Sequence, residues 1–124
     1  KIIMKNILII EDEAALQDAL KKTFIAEGYE VAQGFDGEEG ILLAQQKKPD
    51  LVLLDLVLPK KHGFEVLKAM KDDANLANVP VLVLTNLEES EEVMKAIELG
   101  ARGYLIKANY ALKEVLAKAK DILG

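Results

Sequence analysis

The sequence predicts a three-layer α/β/α fold in which helices cover both faces of one doubly wound, five-stranded parallel sheet, ordered 2-1-3-4-5. Three observations predict it. Five short runs rich in β-branched and aliphatic residues alternate with five stretches of helical spacing. The runs Leu51–Leu54 and Val81–Leu84 show no polar alternation, as expected of strands buried on both faces of a helix-covered parallel sheet. At 124 residues the chain fits one domain, 1–124, whereas a closed eight-stranded barrel needs about twice that length. Right-handed crossovers and short connections then favour the doubly wound order.

In chain order, the first strand is predicted over Asn6–Ile10. A helix follows with Leu16, Leu20 and Phe24 at i, i+4 and i+8, stopped at Gly28. The second strand is Glu30–Gly34. Asp36 with Glu39 reads as a capping box opening the second helix, whose Ile41 and Ala44 face inward. The third strand is Leu51–Leu54. Phe64, Leu67, Met70 and Ala74 suit a third helix that ends before Pro80. After the fourth strand, Val81–Leu84, Ser90 is the expected cap of a helix with Glu91 and Glu92 in its first turn, where negative charge is favoured. Val93 and Ile97 are its expected inner face and Gly100 its end. The fifth strand is Gly103–Ile106, and Asn109 is the expected cap of a last helix with Leu112, Val115, Leu116, Ala119 and Leu123 as its apolar stripe.

Composition excludes several classes of function. Apolar residues are 51% and charged residues 30% of the chain, which argues against disorder. With 16 Lys and Arg against 21 Asp and Glu, a net charge of −5, no basic cluster exists for direct nucleic-acid contact. There is no cysteine, so disulfides, thiolate metal sites and Cys nucleophiles are excluded. The single histidine, His62, excludes a multi-histidine metal site. No apolar run approaches the ~20 residues that cross a bilayer, so no membrane insertion is expected. The first residues run directly into a strand pattern without a cleavage-site signature, so a cytoplasmic protein is expected, with Met4 as its natural start.

In open α/β sheets ligands collect at the carboxyl ends of the strands, near the switch in strand order. Glu11, Asp12 and Glu13 follow the first strand, Asp55 the third, Thr85 the fourth and Lys107 the fifth. Each alone is more often a solvated loop residue or a helix cap than a site; together they place several acids, a hydroxyl and an ammonium at one edge. Crowded carboxylates repel unless a cation compensates. Lys107 supplies one charge, and oxygen ligands without His or Cys select magnesium, calcium or manganese, of which magnesium best matches so sparse a ligand set.

These residues resemble the receiver domain of two-component response regulators over essentially Lys5 to Leu123. The resemblance rests on Glu11-Asp12, on Asp55-Leu56-Val57-Leu58-Pro59-Lys60-Lys61-His62-Gly63, on Thr85 and on Gly103-Tyr104-Leu105-Ile106-Lys107. It implies a flavodoxin-like sheet and a signalling protein rather than an enzyme. Asp55 would be the phosphoacceptor, a carboxylate nucleophile taking a phosphoryl group from a histidine kinase or phosphotransfer protein. Asp12, Asp55 and the backbone carbonyl of Val57 would ligate Mg2+, and Glu11 would act on it indirectly. Lys107 would neutralise phosphoryl oxygens and the Thr85 hydroxyl would hydrogen-bond one. Thr85 and Tyr104 would then form a switch that repacks the surface of the fourth helix, fifth strand and fifth helix toward a downstream protein target, in a monomer or a weak phosphorylation-dependent dimer.

Several departures from the family pattern carry expectations. Ala108 stands where proline often follows the lysine, and a cis bond there would cost about 2.5–4 kcal/mol, so a trans bond is expected. Asn86 adds bulk beside Thr85, and apolar Val57 and Leu87 predict slow loss of the phosphoryl group. His62 is read as a solvated loop residue. The segment Ala101-Arg102-Gly103 with Ala108 departs from the transcription-factor pattern, so a stand-alone regulator is expected.

The competing class is a receiver-like interaction module independent of phosphorylation, whose mark would be a missing Asp, Thr or Lys. A metal-dependent hydrolase would want a second acid at position 57, and a flavin or nucleotide binder a Gly-rich phosphate loop; neither occurs.

Overall fold

The computed structural model describes residues 4–86, 90–107 and 111–124. Five βα units run β1 Asn6–Ile10, α1 Ala14–Ala26, β2 Glu30–Gly34, α2 Gly37–Lys47, β3 Leu51–Asp55, α3 Gly63–Asp72, β4 Val81–Thr85, α4 Ser90–Glu98, β5 Gly103–Ile106 and α5 Leu112–Leu123. All strand pairs are parallel, in the order β2-β1-β3-β4-β5. The predicted fold is the observed one.

Because side chains alternate across a strand, the fully apolar strands feed two cores. Leu8, Ile10, Val52, Leu54, Val81 and Val83 pack with Ala44 of α2, Val66, Leu67 and Met70 of α3 and Ala96 of α4. Ile7, Ile9, Leu51, Leu53, Leu82 and Leu84 pack with Leu20 and Phe24 of α1 and Val115 and Ala119 of α5. β3 and β4 are buried at every position, which is why neither shows polar alternation.

Helix ends follow local chemistry, with several corrections. Gly28 (φ 93°) and Gly100 (φ 105°) take the left-handed conformation just past α1 and α4, as expected of C-terminal glycines. Asp36 caps α2 by accepting the Glu39 N–H at 2.8 Å, but the Glu39 carboxylate accepts from Phe35 N–H rather than from the cap residue itself. His62 is not simply a solvated loop residue: half-buried, it is the N-cap of α3, its Nδ1 accepting from Phe64 N–H at 3.0 Å while Glu65 accepts from His62 N–H. Ala74 lies in a turn beyond α3, and the buried apolar residue of that turn is Leu76. In α4 the buried residue is Ala96, and Ile97 is 41% exposed. One residue rotates a helix by about 100°, so the expected face was displaced by one position. The N-cap of α5 is Ala111, without a side-chain cap. Leu87, Ala108 and Asn109, and the side chain of Ser90, lie outside the described residues. No helix among the described residues is long and apolar enough to cross a membrane.

Candidate functional site

The register sets the site. Ile10 pairs with both Gly34 and Leu54, Asp55 with Leu84, and Thr85 with Ile106. Glu11 therefore stands one residue past its strand and level with Asp55, whereas Thr85 lies one register step and Lys107 two steps beyond that level. Pleat parity sorts them further. Ile9, Leu53 and Leu105 all pack on the α1/α5 side, so Glu11, Asp55 and Lys107, each two residues on, share that side. Thr85 shares the opposite parity with Val83.

The shared parity produces contact. The Lys107 ammonium is paired with Glu11 Oε1 and lies 3.1 Å from Asp55 Oδ2. Glu11 Oε2 accepts the Glu13 N–H at 3.0 Å and Asp55 Oδ1 the Val57 N–H at 3.3 Å. Glu11 is 1% exposed, Asp55 5% and Thr85 0%, whereas Asp12 is exposed. Glu13, not Asp12, is the N-cap of α1, so Asp12 is not committed to the helix end. One carboxylate oxygen from each of Glu11, Asp12 and Asp55 lies within 4.8 Å of the others.

Three carboxylates facing one ammonium leave an excess of negative charge. Burial, offset only in part by Lys107 and the Glu13 N–H and reinforced by the field of Asp55, pushes the Glu11 carboxyl up to about 7. Burial pulls the Lys107 ammonium down, but its hydrogen bond to Glu11 and the fields of Asp55 and Glu11 outweigh that and hold it above its ordinary value. A hard divalent cation fits this donor set: all ligands are oxygens, the charge surplus favours it, and exposed Asp12 leaves a side open for water or phosphate.

The raised Glu11 value has a thermodynamic consequence in metal-free protein. The folded chain holds the Glu11 proton until about pH 7, whereas the unfolded chain releases it near 4.5. The associated stability is full below 4.5 and is lost as pH rises through 7, a change on the order of a few kcal/mol. Urea midpoints in chelator are expected to fall between pH 5 and pH 8 in wild type, and to fall less in Glu11→Gln. Equal slopes in the two proteins would remove Glu11 as the cause.

The remaining predicted residues sit around this cluster. Val57 is 57% exposed, in a loop braced against α2. Pro59 C=O accepts from Gly37 N–H at 3.2 Å and from Lys61 N–H at 2.8 Å, and Lys60 pairs with Asp36 at 3.6 Å. Tyr104 is 44% exposed on the edge strand, next to Val83 in register, and Asn86 is exposed. Sequence reasoning missed Gln17, which is 1% exposed with its amide against the ends of β1 and β2. Its signal was its spacing: Gln17, Leu20 and Phe24 stand at i, i+3 and i+7 on the buried face of α1.

Comparison with known proteins agrees with this geometry. Residues 7–120 match the family model of the response regulator receiver domain. The chain is 39% identical over 120 residues to the DNA-binding dual master transcriptional regulator RpaA of Synechocystis sp., covering 97% of this chain and 49% of that protein. It is 37% identical over 119 residues to the alkaline phosphatase synthesis transcriptional regulatory protein PhoP of Bacillus subtilis, covering 96% and 48%. The chain thus spans about half the length of the curated relatives it matches. Among solved structures it resembles chemotaxis response regulator CheY4 of Vibrio cholerae, with a TM-score of 0.90 and 27% identity over 97% of this chain and 99% of that one. It also resembles the Mn(2+)-bound form of response regulator Rcp1, with a TM-score of 0.80 and 32% identity over 95% and 91%. The family match, reinforced by the acids and lysine gathered at the strand ends, places this chain among the response regulator receiver domains of two-component systems.

Proposed function

We propose that this domain is a phosphorylation switch in which Asp55 accepts a phosphoryl group from a histidine kinase or phosphotransfer protein in a magnesium-dependent reaction. The observation that carries this reading is the Lys107 ammonium bridging Glu11 and Asp55, with Asp12 in the same cluster. An Asp55 carboxylate oxygen forms the new bond to phosphorus, the bond from phosphorus to the donor atom breaks, and the donor leaves with its electron pair. Lys107, already within hydrogen-bond reach of Asp55, neutralises charge gathering on the phosphoryl oxygens. Asp12 and Asp55 would hold the magnesium ion, with the Val57 carbonyl as a further ligand and Glu11, already engaged by Lys107 and the Glu13 N–H, acting on it indirectly. When bound, magnesium supplies charge neutralisation and orientation of the phosphoryl group; the Mn(2+)-bound Rcp1 relative supports a divalent ion in this fold.

Thr85, buried at the end of the adjacent strand, donates its hydroxyl to a phosphoryl oxygen. Its movement lets exposed Tyr104 turn inward and repacks the face of α4, β5 and α5 for a downstream protein target. The chain assists its own modification and acts as a signalling protein.

Intact-mass measurement with a small phosphodonor tests this. With magnesium the chain is expected to gain the mass of one phosphoryl group, and with chelator none. Unmodified protein with magnesium present would overturn the proposal in favour of an interaction module. Free phosphate released without modification would point to a hydrolase.

A further inference from the structure

Gln17 is a buried amide that the phosphotransfer chemistry does not touch. Its Nε2 lies 2.9 Å from Ile9 C=O, 3.1 Å from Glu11 C=O and 2.8 Å from Gly34 C=O. Two N–H groups are therefore shared among three carbonyls at the point where β1 and β2 run out of ladder. Glu11 N–H donates to the same Gly34 C=O at 3.0 Å. Both main-chain polar groups of Glu11 are thus held, one by Gly34 and the other by Gln17. Gln33 completes the arrangement: its Nε2 donates to Gln17 Oε1 at 3.1 Å and to Gln17 C=O at 3.2 Å. A donor on Oε1 leaves Nε2 as the end of the Gln17 amide that faces the strand ends.

We propose that Gln17 is a positioning residue for the metal: it locks the backbone from which Glu11 and Asp12 project, with Gln33 fixing the orientation of its amide. Two properties of the side chain argue for this beyond filling space. It is neutral, so it adds no charge to a site that already holds three acids and one ammonium, and it is a donor aimed at carbonyls. An ionised glutamate has no proton to give those carbonyls, and a lysine would compete with Lys107 for the acids. Methionine has the same length and fills the volume without donating. The inference rests on the magnesium-dependent reading above.

The test is calorimetric titration of the full chain with Mg2+, paired with amide-proton exchange at Glu11 in metal-free protein. Gln17→Met is expected to weaken Mg2+ binding about 10-fold, as loss of a group supporting metal ligands does, and to speed exchange of the Glu11 amide. Gln33→Met is expected to weaken binding less, about threefold, and the double variant to be no weaker than Gln17→Met, because Gln33 acts through Gln17. Phe24→Leu, on the same helix but remote from the site, is expected to lower stability and leave Mg2+ affinity unchanged.

Wild-type affinity and Glu11 exchange in Gln17→Met, with only a drop in stability like that of Phe24→Leu, would overturn the inference and leave the phosphotransfer reading intact. Should Gln17→Met not fold, wild-type affinity in Gln33→Met would overturn it equally. No Mg2+ binding by wild type would overturn both readings.

Discussion

Asp55→Asn is expected to abolish the mass gain from a small phosphodonor with magnesium, while making the metal-free fold more stable at pH 8. Loss of modification follows from nucleophilicity: the amide oxygen lacks the charge that lets a carboxylate attack phosphorus. It can still accept the Val57 N–H that now reaches Asp55 Oδ1 at 3.3 Å, so the loop is not released. The stability gain follows from charge. The field of Asp55 is among the causes that raise Glu11, and neutralising it leaves the Lys107–Glu11 pair balanced. A gain of about 1 kcal/mol is expected, read from urea midpoints in chelator. Mass gain persisting in the variant would place the acceptor elsewhere. A lower midpoint would mean that Lys107 requires Asp55 to offset its own burial.

Gly63→Ala is expected to cost about 2–3 kcal/mol of stability, the range for overpacking a site that cannot relax, and to slow phosphorylation of Asp55. A Cβ at Gly63 would stand 2.6 Å from Leu56 Cα and 2.8 Å from the Asp55 carbonyl oxygen. Gly63 N–H already donates to Leu56 C=O at 2.7 Å, so helix α3 starts in direct contact with the end of β3. The two nearest atoms are backbone atoms of Asp55 and Leu56, so moving the Leu56 side chain, whose Cδ2 would stand at 2.9 Å, does not by itself relieve the clash. Gly28→Ala is the comparison: nothing lies within 4 Å of its would-be Cβ, but its φ is +93°. That variant is expected to lose about 1 kcal/mol through backbone strain alone and to phosphorylate at the wild-type rate. Equal urea midpoints for Gly63→Ala and wild type would show that β3 yields where the packing says it cannot.

Much of the site was legible because a parallel sheet converts strand ends into neighbours. Glu11, Asp55, Thr85 and Lys107 are far apart in the chain, yet each terminates an apolar run, and the order β2-β1-β3-β4-β5 brings those ends to one edge. What resisted reading were choices made by packing. Ala96 rather than Ile97 meets the sheet, and apolar spacing alone does not distinguish faces one residue apart. His62 became the cap of α3 because its Nδ1 reaches the Phe64 N–H, a contact set by the approach of the loop.

The sequence by itself determined the five βα units, the burial of β3 and β4 and the identity of the polar groups at the strand ends, because hydrophobic periodicity and strand termination are local properties of the chain. Only the tertiary structure decided that the Lys107 ammonium is shared between Glu11 and Asp55, that Glu11 is buried while Asp12 is exposed, and that Gln17 closes the ends of β1 and β2. Those outcomes depend on pleat parity and on distances between residues up to 96 positions apart, and the energy of a charge or an amide depends on what surrounds it.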